Sequence, residues 1–254
     1  MVIEDISSIL RQEAEAVLNI PVVAEYNEAV TLIVEYVHNR NGKLITSGMG
    51  KAGQIASNLA TTFSSTGTPA FFLHPSEAQH GDLGIVRDND IMLLISNSGK
   101  TRELIELTRL TLGLAPDMKF IVITSDPDSP LGKEATICLP TGAPKEVCPL
   151  GLTPTTSTTV MTVIGDILVV NTMKRINFSN KDYAKRHHGG YLGSKSREQS
   201  LKEYKNRKHT LMLIRFANNP GTTLGEQDFL RSLPDSVDFV VLTNADNLSV
   251  YHKE

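Results

Sequence analysis

Ser96, Asn97, Ser98, Gly99 and Thr101 stand in one short stretch, directly after an apolar run at 91–95 and directly before a helical pattern. A strand entering such a turn, and a helix leaving it, leave the first helical N–H groups without acceptors and back them with the positive end of the helix dipole. Small hydroxyls beside those amides make the turn an anion cradle suited to phosphate. A second turn of the same build lies upstream in KLITSGMGKAGQ, residues 43–54, where Ser47, Gly48 and Gly50 are followed by Lys51. Two such turns on one sheet point to a phosphorylated small molecule.

Four further places could carry chemistry. Lys51 opens a helix, where a cation opposes the dipole unless an anion sits at the same turn, so it is a candidate anion ligand. The polar loop SEAQHGDLG, residues 76–84, holds Glu77, His80, Gly81 and Asp82. His80 and Asp82 could look like metal ligands, but a third is not evident, and no metal site is expected. Glu146 lies beside an apolar stretch and before a Thr/Ser-rich helix start; burial there would raise its pKa and suit it to act as a base. His187 and His188 precede two glycines that allow close backbone approach.

Two motif readings fail on neighbouring residues. Gly48, Gly50 and Gly53 spell G-x-G-x-x-G, but a dinucleotide site needs an acidic residue at the end of the next strand. That strand ends in His74 and Pro75, and Glu77 comes late. Gly99-Lys100-Thr101 imitates the end of a P-loop, but Leu94 stands where a glycine is required.

The elements needed to hold these turns are legible. Residues 2–39 read as two helices broken near Pro21, with Asp5 or Ser7 as a cap of the first. Strands at 43–46, 69–73, 90–95, 118–124 and 137–139 alternate with helices at 50–63 and 101–112, and a long apolar helix spans 155–173. Alternation of this kind predicts an α/β fold, a parallel sheet covered by helices on both faces. The character changes after Gly193. A charged segment is followed by TLMLIRF, a helical piece at 224–233 and DFVVLTN, a small β-α-β appendage or tail over 196–254.

The chain has 254 residues, a net charge of -3 and two cysteines, Cys138 and Cys148. It is long enough for a real core. It lacks the polybasic field that nucleic acid or an anionic membrane would select. Two thiols make no disulfide framework, which fits a reducing cytoplasm. The N-terminus has early acidic residues and no apolar segment, so a signal peptide is not expected. Nor is any apolar stretch expected to reach the ~20 residues of a membrane span.

In order along the chain, GMGKAGQ, TFSSTGTPAFFLHPSEAQHGDLG, ISNSGKTREL, KEVCPLGLTPTTSTT, GDILVV and HHGGYLG resemble the SIS (sugar isomerase) domain and, more narrowly, the arabinose-5-phosphate isomerases. The resemblance covers roughly residues 5–195. It implies a three-layer fold with a five-stranded parallel sheet, assembled as a homotetramer. It also implies interconversion of D-arabinose 5-phosphate and D-ribulose 5-phosphate for Kdo synthesis, in lipopolysaccharide or capsule, with no cofactor. Lys51, Glu103, Glu146 and His187 match the catalytic set of that family. Phosphate contacts fall to Ser47, Gly48, Gly50, Ser96, Asn97, Ser98 and Thr101, and further substrate contacts to His80, Gly81, Asp82 and His188.

Departures from the family pattern are Ala52 and Gln54 in the first turn, Lys100 where the phosphate turn commonly has Glu, and His188 where the histidine block has Pro. Residues 196–254 are too few for the paired CBS modules of many members, so regulation through them is not expected. Another SIS isomerase and a non-catalytic sugar-phosphate regulator are the alternatives. An N-terminus that is not basic speaks against the regulator.

Overall fold

The computed structural model describes residues 2–206, 210–215, 237–243 and 248–252. The chain divides into two compact units, Met1–His188 and Gly189–Glu254.

The first unit begins with α1 (Val2–Leu18) and α2 (Glu25–Ile33), which runs into a π-helical turn at Val34–Asn39. The break falls at Pro21, as the sequence indicates. Asp5 and Ser7 lie inside α1 rather than capping it, because the helix begins at Val2. Next come β1 (Leu44–Gly48), α3 (Gly50–Ser65), β2 (Ala70–Phe72), the short α4 (Pro75–Ala78) and a 3-10 turn at Asp82–Ile85. β3 (Ile91–Ile95), α5 (Arg102–Leu114), β4 (Lys119–Thr124), α6 (Pro130–Glu134) and β5 (Ile137–Pro140) follow. The unit ends with α7 (Thr156–Arg175) and α8 (Asn180–Arg186).

Five strands form one parallel sheet in the order β2-β1-β3-β4-β5. β1 and β3 are buried at every position, as expected where helices cover both faces of a parallel sheet. Successive side chains serve opposite layers. Ile91, Leu93 and Ile95 pack with Ile33, Leu59, Phe63, Ile164 and Leu168 from α2, α3 and α7. Met92 and Leu94 pack with Leu104, Leu107 and Leu131 from α5 and α6. Each fully buried aliphatic contributes about 1.5–3 kcal/mol.

The polar residues inside β1 are matched. Thr46 donates to the Ala56 carbonyl at 2.7 Å, and Ser47 donates to the Leu73 carbonyl at 2.6 Å. At the opposite end of the strands Asp90, 1% exposed, accepts from the Lys43 amide at 2.9 Å, the Lys43 ammonium at 2.6 Å and the Arg87 amide at 2.8 Å.

α7 corrects one expectation. It is long and apolar enough to cross a membrane by length and composition. Its buried face instead packs on α1, α2 and α3.

The second unit holds α9 (Gly190–Asn206) and a three-stranded sheet of β6 (Thr210–Arg215), β7 (Val237–Thr243) and β8 (Leu248–His252). β6 and β7 pair in parallel, β7 and β8 antiparallel. Two of these strands match the sequence reading and β8 is additional. The helical piece expected at 224–233 lies outside the described residues.

Candidate active site

The chain leaves β1 for β2 on one side and returns to β3 on the other, so the crossovers diverge between β1 and β3. A crevice opens at the carboxyl ends of strands at such a switch point. Gly48, the last residue of β1, is level with Ile95, the last residue of β3. The two turns picked out in the sequence therefore lie side by side. They border a cleft of about 700 Å3 lined by Met49, Lys51, Ala52, Ser96, Asn97, Ser98 and Thr101. Residues 144–146 and Gly151, Leu152, Pro154, Ser157, Thr158 and Met161 close it.

The first turn is built by close approach. A Cβ on Gly48 would lie 2.7 Å from the Ala52 carbonyl, and one on Gly53 would lie 2.6 Å from the Gly48 carbonyl oxygen. Only glycines let α3 start this tightly against β1, which brings Lys51 to the cleft.

The second turn is held from below. The Asn97 carbonyl accepts from the Ser125 hydroxyl at 2.6 Å, the Ser125 amide at 2.9 Å and the Thr124 hydroxyl at 3.1 Å. The Gly99 carbonyl accepts from the Leu131 amide at 3.1 Å. Carbonyls tied down in this way cannot face an anion. Gly99 has φ +63, and a Cβ there would overlap the Ser129 hydroxyl.

The Ser96 and Thr101 hydroxyls are 2.8 Å apart, and Ser96 also accepts from the Gly99 amide at 3.1 Å. Thr101 precedes α5 without capping it through its side chain. The amides of Arg102 and Glu103 thus keep no intrahelical acceptor. Lys100 pairs with Asp126 at 3.0 Å, toward the loop after β4. Its hydrogen bond and charge hold the Asp126 carboxyl below the usual range.

Glu146 sits across the cleft at the start of α7. Its Oε2 accepts from the Thr155 amide at 2.7 Å, the Thr155 hydroxyl at 2.8 Å and the Ser157 amide at 3.3 Å. Burial pushes its pKa up, but the hydrogen bonds from Ser157 and Thr155 together outweigh burial and hold it below the usual carboxylate value. This corrects the expectation of a raised pKa: a carboxylate that receives amides at a helix N-terminus is stabilised as the anion. Nearby, hydrogen bonds from Thr153, Leu150 and Leu152 bring the Cys148 thiol down to about 6.

The structure gathers Lys51, Glu146, Ser96, Asn97, Ser98 and Thr101 around the cleft. Glu103 is half-buried in the first turn of α5 and is not among the lining residues. Gly48 and Gly50 shape the first turn, and the Ser47 hydroxyl is committed to Leu73. His80, Gly81 and Asp82 are exposed after α4 and do not line the cleft.

His187 and the exposed His188 follow α8, also outside the lining. The His187 ring stacks on Tyr183 with centroids 3.7 Å apart, and its Nδ1 lies 3.0 Å from the Tyr183 carbonyl. Lys145, Thr158 and Met161 line the cleft but were not singled out from the sequence. The signal available was adjacency: a loop that carries Glu146 to the cleft carries Lys145 with it. Among the described residues no three His, Cys, Asp or Glu side chains converge as metal ligands.

The SIS domain model matches residues 36–171. A Yersinia pestis relative, arabinose 5-phosphate isomerase KdsD, is 47% identical over 169 residues, covering 66% of this chain and 51% of the relative. The chain thus spans about half the length of the curated relatives it matches. A Bacteroides fragilis structure, assigned as a phosphosugar isomerase involved in capsule formation, is 68% identical, with TM-score 0.74. The match covers 75% of this chain and all of that one (100%). An Escherichia coli CFT073 protein in complex with arabinose 5-phosphate is 32% identical, with TM-score 0.68, over 73% of this chain and 97% of that one. With its five-stranded parallel sheet and the paired turns at its switch point, this chain belongs to the SIS domain family.

Proposed function

We propose that this protein is an aldose–ketose isomerase that interconverts D-arabinose 5-phosphate and D-ribulose 5-phosphate. The observation that carries this reading is the cleft, which sets an anion-binding turn on one side and an ionised carboxylate on the other, with Lys51 at its edge. The names of the relatives and the neighbour solved with arabinose 5-phosphate support the choice of sugar.

The reaction moves a proton between C1 and C2 through an enediol. The phosphate docks on the turn at 96–101, where the Ser96–Thr101 pair and the first amides of α5 receive it, and this anchors the far end of the sugar. Glu146, ionised at neutral pH, takes the carbon-bound proton. Lys51 stabilises the developing oxyanion, and Lys145 adds a second positive charge at the cleft. Glu103 positions hydroxyls or shuttles a proton. His187 serves ring opening from a neighbouring copy in a homotetramer, which accounts for its place outside the cleft of its own chain. The isomerase domain corresponds to the first compact unit, Met1–His188, which ends short of residue 195 because α9 starts at Gly190 and belongs to the second unit. The product feeds Kdo synthesis for lipopolysaccharide or capsule in the cytoplasm, and the reaction uses no cofactor.

The test is an isomerase assay on metal-stripped protein with D-arabinose 5-phosphate, with glucose 6-phosphate and sedoheptulose 7-phosphate alongside. Turnover of arabinose 5-phosphate alone is expected. Binding without turnover of any sugar would move the protein to the regulators, and preference for another sugar would move it to a different isomerase.

A further inference from the structure

We propose that Glu13, on the N-terminal helix α1, is a positioning residue for Glu146 and acts through Thr156. The Thr156 hydroxyl donates to Glu13 Oε1 at 2.8 Å, and its oxygen accepts from the Val147 amide at 3.2 Å. Val147 directly follows Glu146. The residues on either side of Thr156 supply the amides that grip the Glu146 carboxylate. Thr156, 1% exposed, sits at the centre of a ring: its hydroxyl holds the backbone beside Glu146, and its two neighbours hold the Glu146 side chain through three hydrogen bonds.

A threonine hydroxyl has a single proton and rotates freely, so where it points depends on its strongest acceptor. A carboxylate at 2.8 Å supplies that acceptor and leaves an oxygen lone pair for Val147. Without Glu13 the hydroxyl can turn away, the Val147 amide loses its partner, and Glu146 drifts from the carbon it must reach. The other oxygen, Glu13 Oε2, is buried without a hydrogen-bond partner. Glu13 and Thr156 are 143 positions apart, so only the packing of α1 on α7 creates the link.

The inference rests on the reading of Glu146 as the carbon base. The experiment compares Glu13→Ala, Glu13→Gln, Thr156→Val and Thr156→Ser in the full chain. It measures steady-state turnover of D-arabinose 5-phosphate and hydrogen exchange at the Val147 amide. Glu13→Ala and Thr156→Val are expected to lower kcat by about tenfold to a hundredfold with KM little changed, because the phosphate turn is untouched. Both should lose protection at Val147. Glu13→Gln keeps an acceptor and Thr156→Ser keeps the hydroxyl, so both should recover most of the rate and the protection.

Wild-type kcat in Glu13→Ala, equal losses in Glu13→Ala and Glu13→Gln, or Val147 protection retained in Glu13→Ala would each overturn the proposal. If Glu13→Ala does not fold, the Thr156 pair and Glu13→Gln decide by the same readouts. Glu146→Gln is measured alongside. Wild-type turnover there would overturn the base reading, while Val147 exchange still reports on the link itself.

Discussion

Glu146 and Thr155 make a two-point contact, the Glu146 carboxylate accepting from both the amide and the hydroxyl of Thr155, at 2.7 Å and 2.8 Å. The acid side chain at the cleft is also the cap of α7. Its charge is fixed by the same helix start that fixes its position.

Glu146→Gln should therefore lower kcat by roughly 10²–10⁴, the usual loss of a general base. Because the Glu146 pKa is depressed, its acid limb should fall below the ordinary glutamate value of about 4.3. Thr155→Val removes the hydroxyl bond and should move that limb to higher pH. A depressed carboxyl gives stability that is present above its unfolded pKa and is lost as pH falls through the folded one. The melting difference between wild type and Glu146→Gln should accordingly shrink as the pH is lowered. A kcat–pH profile and melting curves at several pH values check both.

Thr101→Val removes the partner of the Ser96 hydroxyl and a phosphate-side donor. Loss of a hydrogen bond to a charged group costs about 1.5–3 kcal/mol, a rise in KM of roughly ten- to a hundredfold. Steady-state kinetics should show that rise with kcat little altered.

Gly99→Ala meets two obstacles, a left-handed φ of +63 and the Ser129 hydroxyl. The backbone term alone is about 1–2 kcal/mol. The variant should melt earlier and lose phosphate affinity, and Ser129→Ala added to it should return part of the stability. Calorimetry of the single and double variants measures this.

Cys148 should alkylate with iodoacetamide along a curve half-maximal near pH 6, well below the ordinary thiol. Cys138, which burial pushes the other way, should lag. Rates measured with Cys148→Ser as the reference separate the two thiols.

Asp90→Ala strips three donors of their acceptor and leaves the Lys43 ammonium unpaired. Breaking such a pair from one side costs roughly 3–5 kcal/mol. Denaturant unfolding should show that loss, with KM unchanged in the folded fraction.

The centre of the sheet was legible because β3 and β4 are mostly continuous apolar runs, and the two cleft turns because small residues, Gly48 and Ser96, stand where β1 and β3 end. IMLLI followed by SNSG announces both a buried strand and the turn that borders the cleft. The short helices α4 and α6 escaped notice because each is five residues or fewer and takes its start from a local signal, His74-Pro75 or Ser129-Pro130. The depressed pKa of Glu146 was not legible, since burial and hydrogen bonding pull in opposite directions and only geometry decides between them. The partnership of Glu13 with Thr156 has no local signature. Lys145 carries no signal of its own, since a lysine beside Glu146 reads equally well as a solvated surface residue.

The Asp90 clasp and the cleft occupy opposite rims of the same strands: β1 and β3 enter at Lys43 and Asp90 and leave at Gly48 and Ile95. Five residues of strand, roughly 16 Å, separate them. Diversifying the entry rim and screening by survival after heating should thus change stability while leaving the geometry of the cleft outside the selection.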